Sequence, residues 1–279
     1  MIPAIDLSKS LWSVWWATAT VATIAVATTS CATNRTPVES ARPDADDDQK
    51  PLHRVVDGGG DPSHGRDLYV RYCQTCHGAE GRGDGPAAES METKPRDFTS
   101  GHFKFASTIA GLPPTDGDLF RTIAQGVPGT AMPAWGNRLD DDEIWALVAY
   151  VKTFSTKFQT PIPKSQITTF PEEPPDDAAS RKAGRKLYMS RCVECHGSKG
   201  RGNGPGATGL KDYKGRAITP RNFTSDPFKS GGRSRDIYRT IANGLEGTPM
   251  APHGPALEGK QIWHLVHYVE SLREPPSVL

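Results

Sequence analysis

Two stretches of this 279-residue chain are near-copies, CQTCHGAEGRGDGP at 73–86 and CVECHGSKGRGNGP at 192–205. Each sets two cysteines three residues apart, puts a histidine directly after them, and runs on into glycines. The likeness continues on both sides. GRDLYVRYC (65–73) matches GRKLYMSRC (184–192), KPRDFTS (94–100) matches TPRNFTS (219–225), and RTIAQGVPGTAM (121–132) matches RTIANGLEGTPM (239–250). A repeat of this extent predicts a duplicated domain, with modules over 61–154 and 181–274. The second copy gains six residues before the Pro-Arg motif and loses seven after it, changes expected in surface loops.

Each module reads as mainly helical, with no convincing strand. One helix leads into the cysteine pair, and a middle helix is entered at Asp116 and ended by Gly126. The last starts at Asp140 with Glu143 three residues on, a capping-box spacing. Its buried face is Ile144, Leu147, Val148 and Val151, repeated as Ile262, Leu265, Val266 and Val269. Only 36% of residues are hydrophobic, while Gly (28) and Pro (24) are plentiful, so a further source of apolar bulk would help fill two small cores.

The cysteines say what that source is. A thioredoxin-type pair would sit in an α/β context, and a zinc site would need all four thiolates together, whereas the pairs lie in separate repeats. A local disulfide would leave the histidines unexplained. Two thiols on one helical turn can add across the two vinyl groups of haem, and the adjoining histidine then binds the iron. Cys73 and Cys76, and Cys192 and Cys195, are thus predicted to attach two haem c groups, with His77 and His196 as axial ligands. Met132 and Met250 end the matched loops beginning at Gly126 and Gly244, and their shared register predicts them as the opposite ligands. His253 stands where the first copy has Trp135 and is an alternative to Met250; His264 and His267 are expected at the surface.

With these motifs in view, each module resembles a class I cytochrome c, over about two thirds of the chain. The resemblance implies two tandem cytochrome c-like helical domains whose terminal helices cross at Gly65, Tyr69 and Trp145, and at Gly184, Tyr188 and Trp263. It implies that Pro86 and Pro205 supply the carbonyls accepting the histidine Nδ1 protons, that Arg96 and Arg221 pair with haem propionates, and that Trp135 supports the haem pocket. An iron with both axial positions filled implies electron transfer between redox proteins in place of catalysis. A dihaem peroxidase-like enzyme with one openable haem, and a bound subunit of a larger oxidoreductase, are the alternatives.

Outside the modules, residues 11–29 are uncharged and apolar, as in an export signal, and small residues precede Cys31 as at a lipoprotein cleavage site. Lipidation at Cys31, an uncleaved anchor and full release are all consistent with this segment, and each places the modules on the exported, periplasmic side of a bacterial membrane. Residues 32–60 and the Pro-rich 155–180 read as solvated linkers, and 275–279 as a tail. The net charge of +1 gives no sign of a nucleic-acid partner. It conceals −4 over 61–154 and +9 over 181–274, a contrast consistent with unrelated surface drift, with modules that dock on each other, or with a second module that steers toward an acidic partner.

Overall fold

The computed structural model describes residues 59–225 and 227–273; the segment 11–29, Cys31, nearly all of the linker 32–60 and the tail 275–279 lie outside the described residues. The first module consists of α1 (Pro62–Tyr72), α2 (Gln74–His77), α3 (Asp116–Gln125) and α4 (Asp141–Lys152). The second repeats it with α5 (Ala178–Arg191), α6 (Val193–His196), α7 (Ser234–Asn243) and α8 (Gly259–Ser271). Among the described residues there is no strand, only isolated bridges between Thr108 and Ile167 and between Lys211 and Ala217. No described helix is long and apolar enough to cross a membrane.

Helix ends follow local chemistry. Asp140 and Glu143 form the expected reciprocal cap on α4, each bond 2.9 Å long. On α3 the cap is Thr115, one residue ahead of the expected Asp116, because its hydroxyl takes the Asp118 N–H while Asp118 takes that of Thr115. The terminal helices cross at glycine. A Cβ on Gly65 would stand 2.0 Å from the Ala146 carbonyl oxygen, and one on Gly184 only 1.8 Å from that of His264. Tyr69 packs beside the crossing against Tyr150 and Phe154. The Trp145 ring lies 4.5 Å from that of Phe120 on α3, and Trp263 likewise meets Tyr238 of α7.

The segment between modules is largely exposed, as its composition implied, but it is anchored to both modules. Ser155 is buried and Phe158 packs on the first core. Phe170 packs against Tyr238, and the Trp263 indole donates to the Pro171 carbonyl at 2.9 Å. Proline suits such a strap, having few N–H groups to satisfy and a stiff extended backbone. Its path over α8 also corrects the placing of two histidines. His267 is fully buried, between the Ser180 hydroxyl (2.6 Å) and Glu173 (3.1 Å), and His264 is half-buried against the same hydroxyl. Asp177 caps α5, which therefore starts before the expected boundary at 181.

The modules dock, and they do so through the two length changes between the copies. The residues gained by the second module form a turn closed by the Lys211–Ala217 bridge; from it Lys214 reaches Asp97 at 2.5 Å and the Tyr213 hydroxyl lies 3.2 Å from Ser100 Oγ. The longer loop of the first module lies along the second: Asn243 donates to the Ala106 carbonyl, and His102 meets Glu246 at 2.8 Å. At the centre stand two pseudo-equivalent ion pairs, Asp118–Arg121 and Asp236–Arg239, close enough for Asp118 and Arg121 to act on Arg239.

Gly184→Ala is expected to destabilise the second module by about 1–3 kcal/mol through forced helix separation, whereas Gly232→Ala, whose Cβ would meet only the tip of Arg273 at 3.6 Å, has little effect; denaturant titration of helical ellipticity measures both. The seam is also acid-sensitive. Burial pushes the Asp97 and Asp118 carboxyls up from their ordinary value of 3.8, but Lys214 and Thr99 for the one, and Arg121 and Ser107 for the other, outweigh it and hold both below. Their stabilisation is therefore complete above the unfolded value and lost as pH falls through the depressed ones. Hydrogen exchange over 97–112 and 211–217 should accelerate below about pH 4 before the helix crossings open.

Candidate functional site

The short helices α2 and α6 place both cysteines and the histidine of each motif on one turn. His77 N and Cys76 N both donate to the Cys73 carbonyl, at 2.9 and 3.1 Å, and the second module repeats this at 2.9 and 3.3 Å. Gly78, at φ 80°, ends the turn in a conformation that favours glycine. Its carbonyl accepts the Tyr69 hydroxyl at 2.7 Å, as that of Gly197 accepts Tyr188, which ties the motif to the preceding helix.

The surroundings of both histidines favour one neutral tautomer. His77 Nδ1 lies 3.1 Å from the Arg96 carbonyl and His196 Nδ1 3.3 Å from that of Arg221, so Nδ1 donates and Nε2 keeps its lone pair for a metal. Burial is the main influence lowering both imidazole pKa values. The expected acceptors, Pro86 and Pro205, are exposed. Gly83 lets the Pro-Arg segment pass so close that a Cβ there would stand 2.6 Å from the Pro95 carbonyl, and this brings the Arg96 carbonyl to the ring instead. Two residues on, Phe98 stacks on His77 at 4.5 Å and Phe223 on His196 at 4.4 Å. These phenylalanines were missed in the sequence, although both sit at the same place in the matched PRDF and PRNF segments.

The four thiols are unpaired and half-buried. Burial pushes Cys73 up to about 12 and Cys192 up to about 11, so neither is the low-pKa thiolate of a redox-exchange pair. Cys73, Phe98 and Met132 all pack on the first core, and Cys192 and Phe223 on the second. Met250 is half-buried. In the first module a neutral imidazole with a free Nε2, two thiols on one turn and a thioether against the same apolar wall form a donor set that fits haem c, and the second repeats the imidazole and the thiols. Once bound, haem c supplies a one-electron Fe(III)/Fe(II) couple.

The modules differ at one rim. Trp135 is buried, with its ring 5.2 Å from that of Tyr72, joining the methionine loop to the residue before Cys73. The second module has Arg191 and His253 at these positions. Burial, then the Arg191 charge, lowers the His253 pKa. The Arg96 side chain is half-buried.

The family described as "Cytochrome C oxidase, cbb3-type, subunit III" matches residues 60–151, and "Cytochrome c" matches residues 181–273. The cbb3-type cytochrome c oxidase subunit FixP of Sinorhizobium medicae is 32% identical over 103 residues, covering 34% of this chain and 31% of that protein. A thiosulfate dehydrogenase of Stutzerimonas stutzeri is 26% identical over 210 residues, covering 73% of this chain and 60% of the relative. The chain thus spans between about a third and three fifths of the length of these relatives. Among solved structures, a chain of the Kuenenia stuttgartiensis reducing HAO-like protein complex Kustc0457/Kustc0458 superposes with a TM-score of 0.73 at 36% identity, over 79% of this chain and all of that one. Two matched modules, each with its own thiol pair and histidine, mean that the chain belongs to the c-type cytochromes, as a tandem member with two covalently bound haem c groups.

Proposed function

We propose that both irons are closed by a histidine and a methionine, His77 with Met132 and His196 with Met250, and that the protein passes single electrons between redox partners without binding a substrate at either metal. The supporting observation is the identical build of the two methionine loops. In each, the methionine carbonyl accepts the N–H of the residue after the opening glycine, Val127 at 3.1 Å and Leu245 at 3.0 Å. A threonine bridges each interior: Thr130 donates to Val127 and accepts from Met132 N, and Thr248 does the same for Leu245 and Met250. Such a loop presents its last side chain in a fixed direction. Arg96 and Arg221 are assigned to the haem propionates and Trp135 to the wall of the first pocket.

The partner side is assigned to the second module. Along α5 and just beyond α6, exposed Lys182, Lys186, Arg191 and Lys199 stand where the first module has Ser63, Asp67, Tyr72 and Glu80. That change concentrates positive charge beside the second haem motif and favours an acidic redox protein. Tethering through the segment ending at Cys31, on the exported side of a bacterial membrane, belongs to the same reading. A second reading, in which the chain is a fixed subunit of a larger redox assembly, is favoured by relatives named as an oxidase subunit and a complex component. A catalytic role, with one iron opening to substrate, is favoured by the thiosulfate dehydrogenase likeness.

Carbon monoxide separates the closed irons from the catalytic reading. The reduced protein should leave it unbound at both haems, while Met132→Ala and Met250→Ala should each bind it at one haem when reduced and lose part of the methionine-to-iron charge-transfer band when oxidised. Avid binding by the unaltered protein favours catalysis. Oxidation of the reduced protein by ferricyanide, an anionic oxidant, should slow as salt rises, and Lys182→Glu with Lys186→Glu should flatten that dependence. A rate indifferent to salt removes the docking assignment.

A further inference from the structure

The two methionine loops share an internal frame but not their outside supports. The Met132 loop is latched within its own module by Trp135 on Tyr72. From the second module it is touched at Gly129, where an added Cβ would stand 3.2 Å from the Pro227 ring.

The Met250 loop has Arg191 and His253 in place of that latch and is held across the seam. Glu246, which stands where the first loop has Pro128, turns both carboxylate oxygens to the first module. Oε1 lies 2.8 Å from His102 Nδ1, and Oε2 accepts the Gly111 N–H at 3.1 Å. The next residue, Gly247, lies under Tyr213, whose ring a Cβ there would approach to 2.8 Å, and its carbonyl accepts the Tyr213 N–H at 3.0 Å. Tyr213 continues the clamp to the first module, with its ring centroid 5.0 Å from that of His102. Gly111 lies in the stretch the second copy lacks and Tyr213 in the stretch the first copy lacks, while His102 is replaced in the second copy by Pro227, which carries no ring nitrogen to offer. The clamp is therefore particular to this loop.

We infer that the first module positions the axial ligand of the second haem: His102 and Gly111 through Glu246, together with Tyr213, hold the loop that presents Met250. Loosening the seam opens the second iron to external ligands and leaves the first closed. The inference rests on Met250 being an axial ligand. These groups are positioning residues, since none of them is proposed to touch the metal.

The test uses the intact dihaem protein, oxidised, with imidazole as the probe ligand, and follows the methionine-to-iron band. Glu246→Ala is expected to raise imidazole affinity about tenfold, the scale of a lost charge-assisted hydrogen bond, at one haem only; Tyr213→Ala, which keeps the backbone bond to Gly247 but removes the ring packed on it, is expected to raise it at the same haem by less. Combined with Met250→Ala, Glu246→Ala should add nothing further; combined with Met132→Ala, it should open the remaining haem. Glu246→Gln, which keeps an acceptor for Gly111, should recover part of the wild-type resistance. Should Glu246→Ala impair folding of the second module, His102→Ala removes the same contact from the other side and is read in the same way. If Met250→Ala opens a haem but the Glu246, Tyr213 and His102 variants leave affinity and band unchanged, the seam does not position the loop and the inference fails. If Met250→Ala itself changes neither, the ligand assignment beneath it has failed instead.

Discussion

A carbonyl oxygen on the imidazole Nδ1 decides what each module can be. By accepting that proton, the Arg96 and Arg221 carbonyls leave Nε2 bare, and the phenylalanine two residues later fixes the plane of the ring. Burial excludes the water that would compete for the lone pair and keeps the ring neutral. The rest of each module serves this arrangement. The Gly65 and Gly184 crossings bring the terminal helices close, the Tyr69 and Tyr188 hydroxyls hang the motif from them, and the glycine loop lets the Pro-Arg segment lie against the histidine.

The residues assigned to the haem sites stand out in the sequence because each is a side chain whose type and spacing are visible: four cysteines, two histidines and two methionines in register; the Asp140–Glu143 cap was legible in the same way. The Nδ1 acceptor was not. Any residue but its carbonyl's own geometry is silent on the matter, since every residue has a carbonyl, and only the close pass at Gly83 selects Arg96. His267 misled for a related reason. On a helical wheel it continues the polar side of α8, and nothing local shows that a distant strap carrying Glu173 folds over it. The strap itself read as linker because proline and acid suggest solvation, while its anchors, Phe158 and Phe170, are two residues among many.

Burying the seam has an electrostatic cost that its composition manages. Asp236 offsets Arg239 at 2.9 Å, Phe170 lies over the guanidinium, and Arg239 Nε is left with no hydrogen-bond partner. Burial, then the nearby Arg121, lowers the Arg239 pKa, with Asp236 and Asp118 opposing. Removing one member of such a group would strand a buried charge, at a cost of several kcal/mol of the order seen for buried pairs.

Two modules with the same internal frame would by themselves make two equal redox centres. Here the frame is kept and the surroundings differ: an aromatic latch beside Met132, a cross-module clamp beside Met250, acid on one face and lysine on the other. Since the supports of the second loop lie largely in the first module, the properties of the second haem belong to the pair. A half-chain carrying only 181–273 would keep its cysteines, histidine and methionine yet lose the His102 and Gly111 contacts that hold Glu246. Any ligand affinity measured on it would describe a fragment, since contacts that distinguish the two loops lie between the modules.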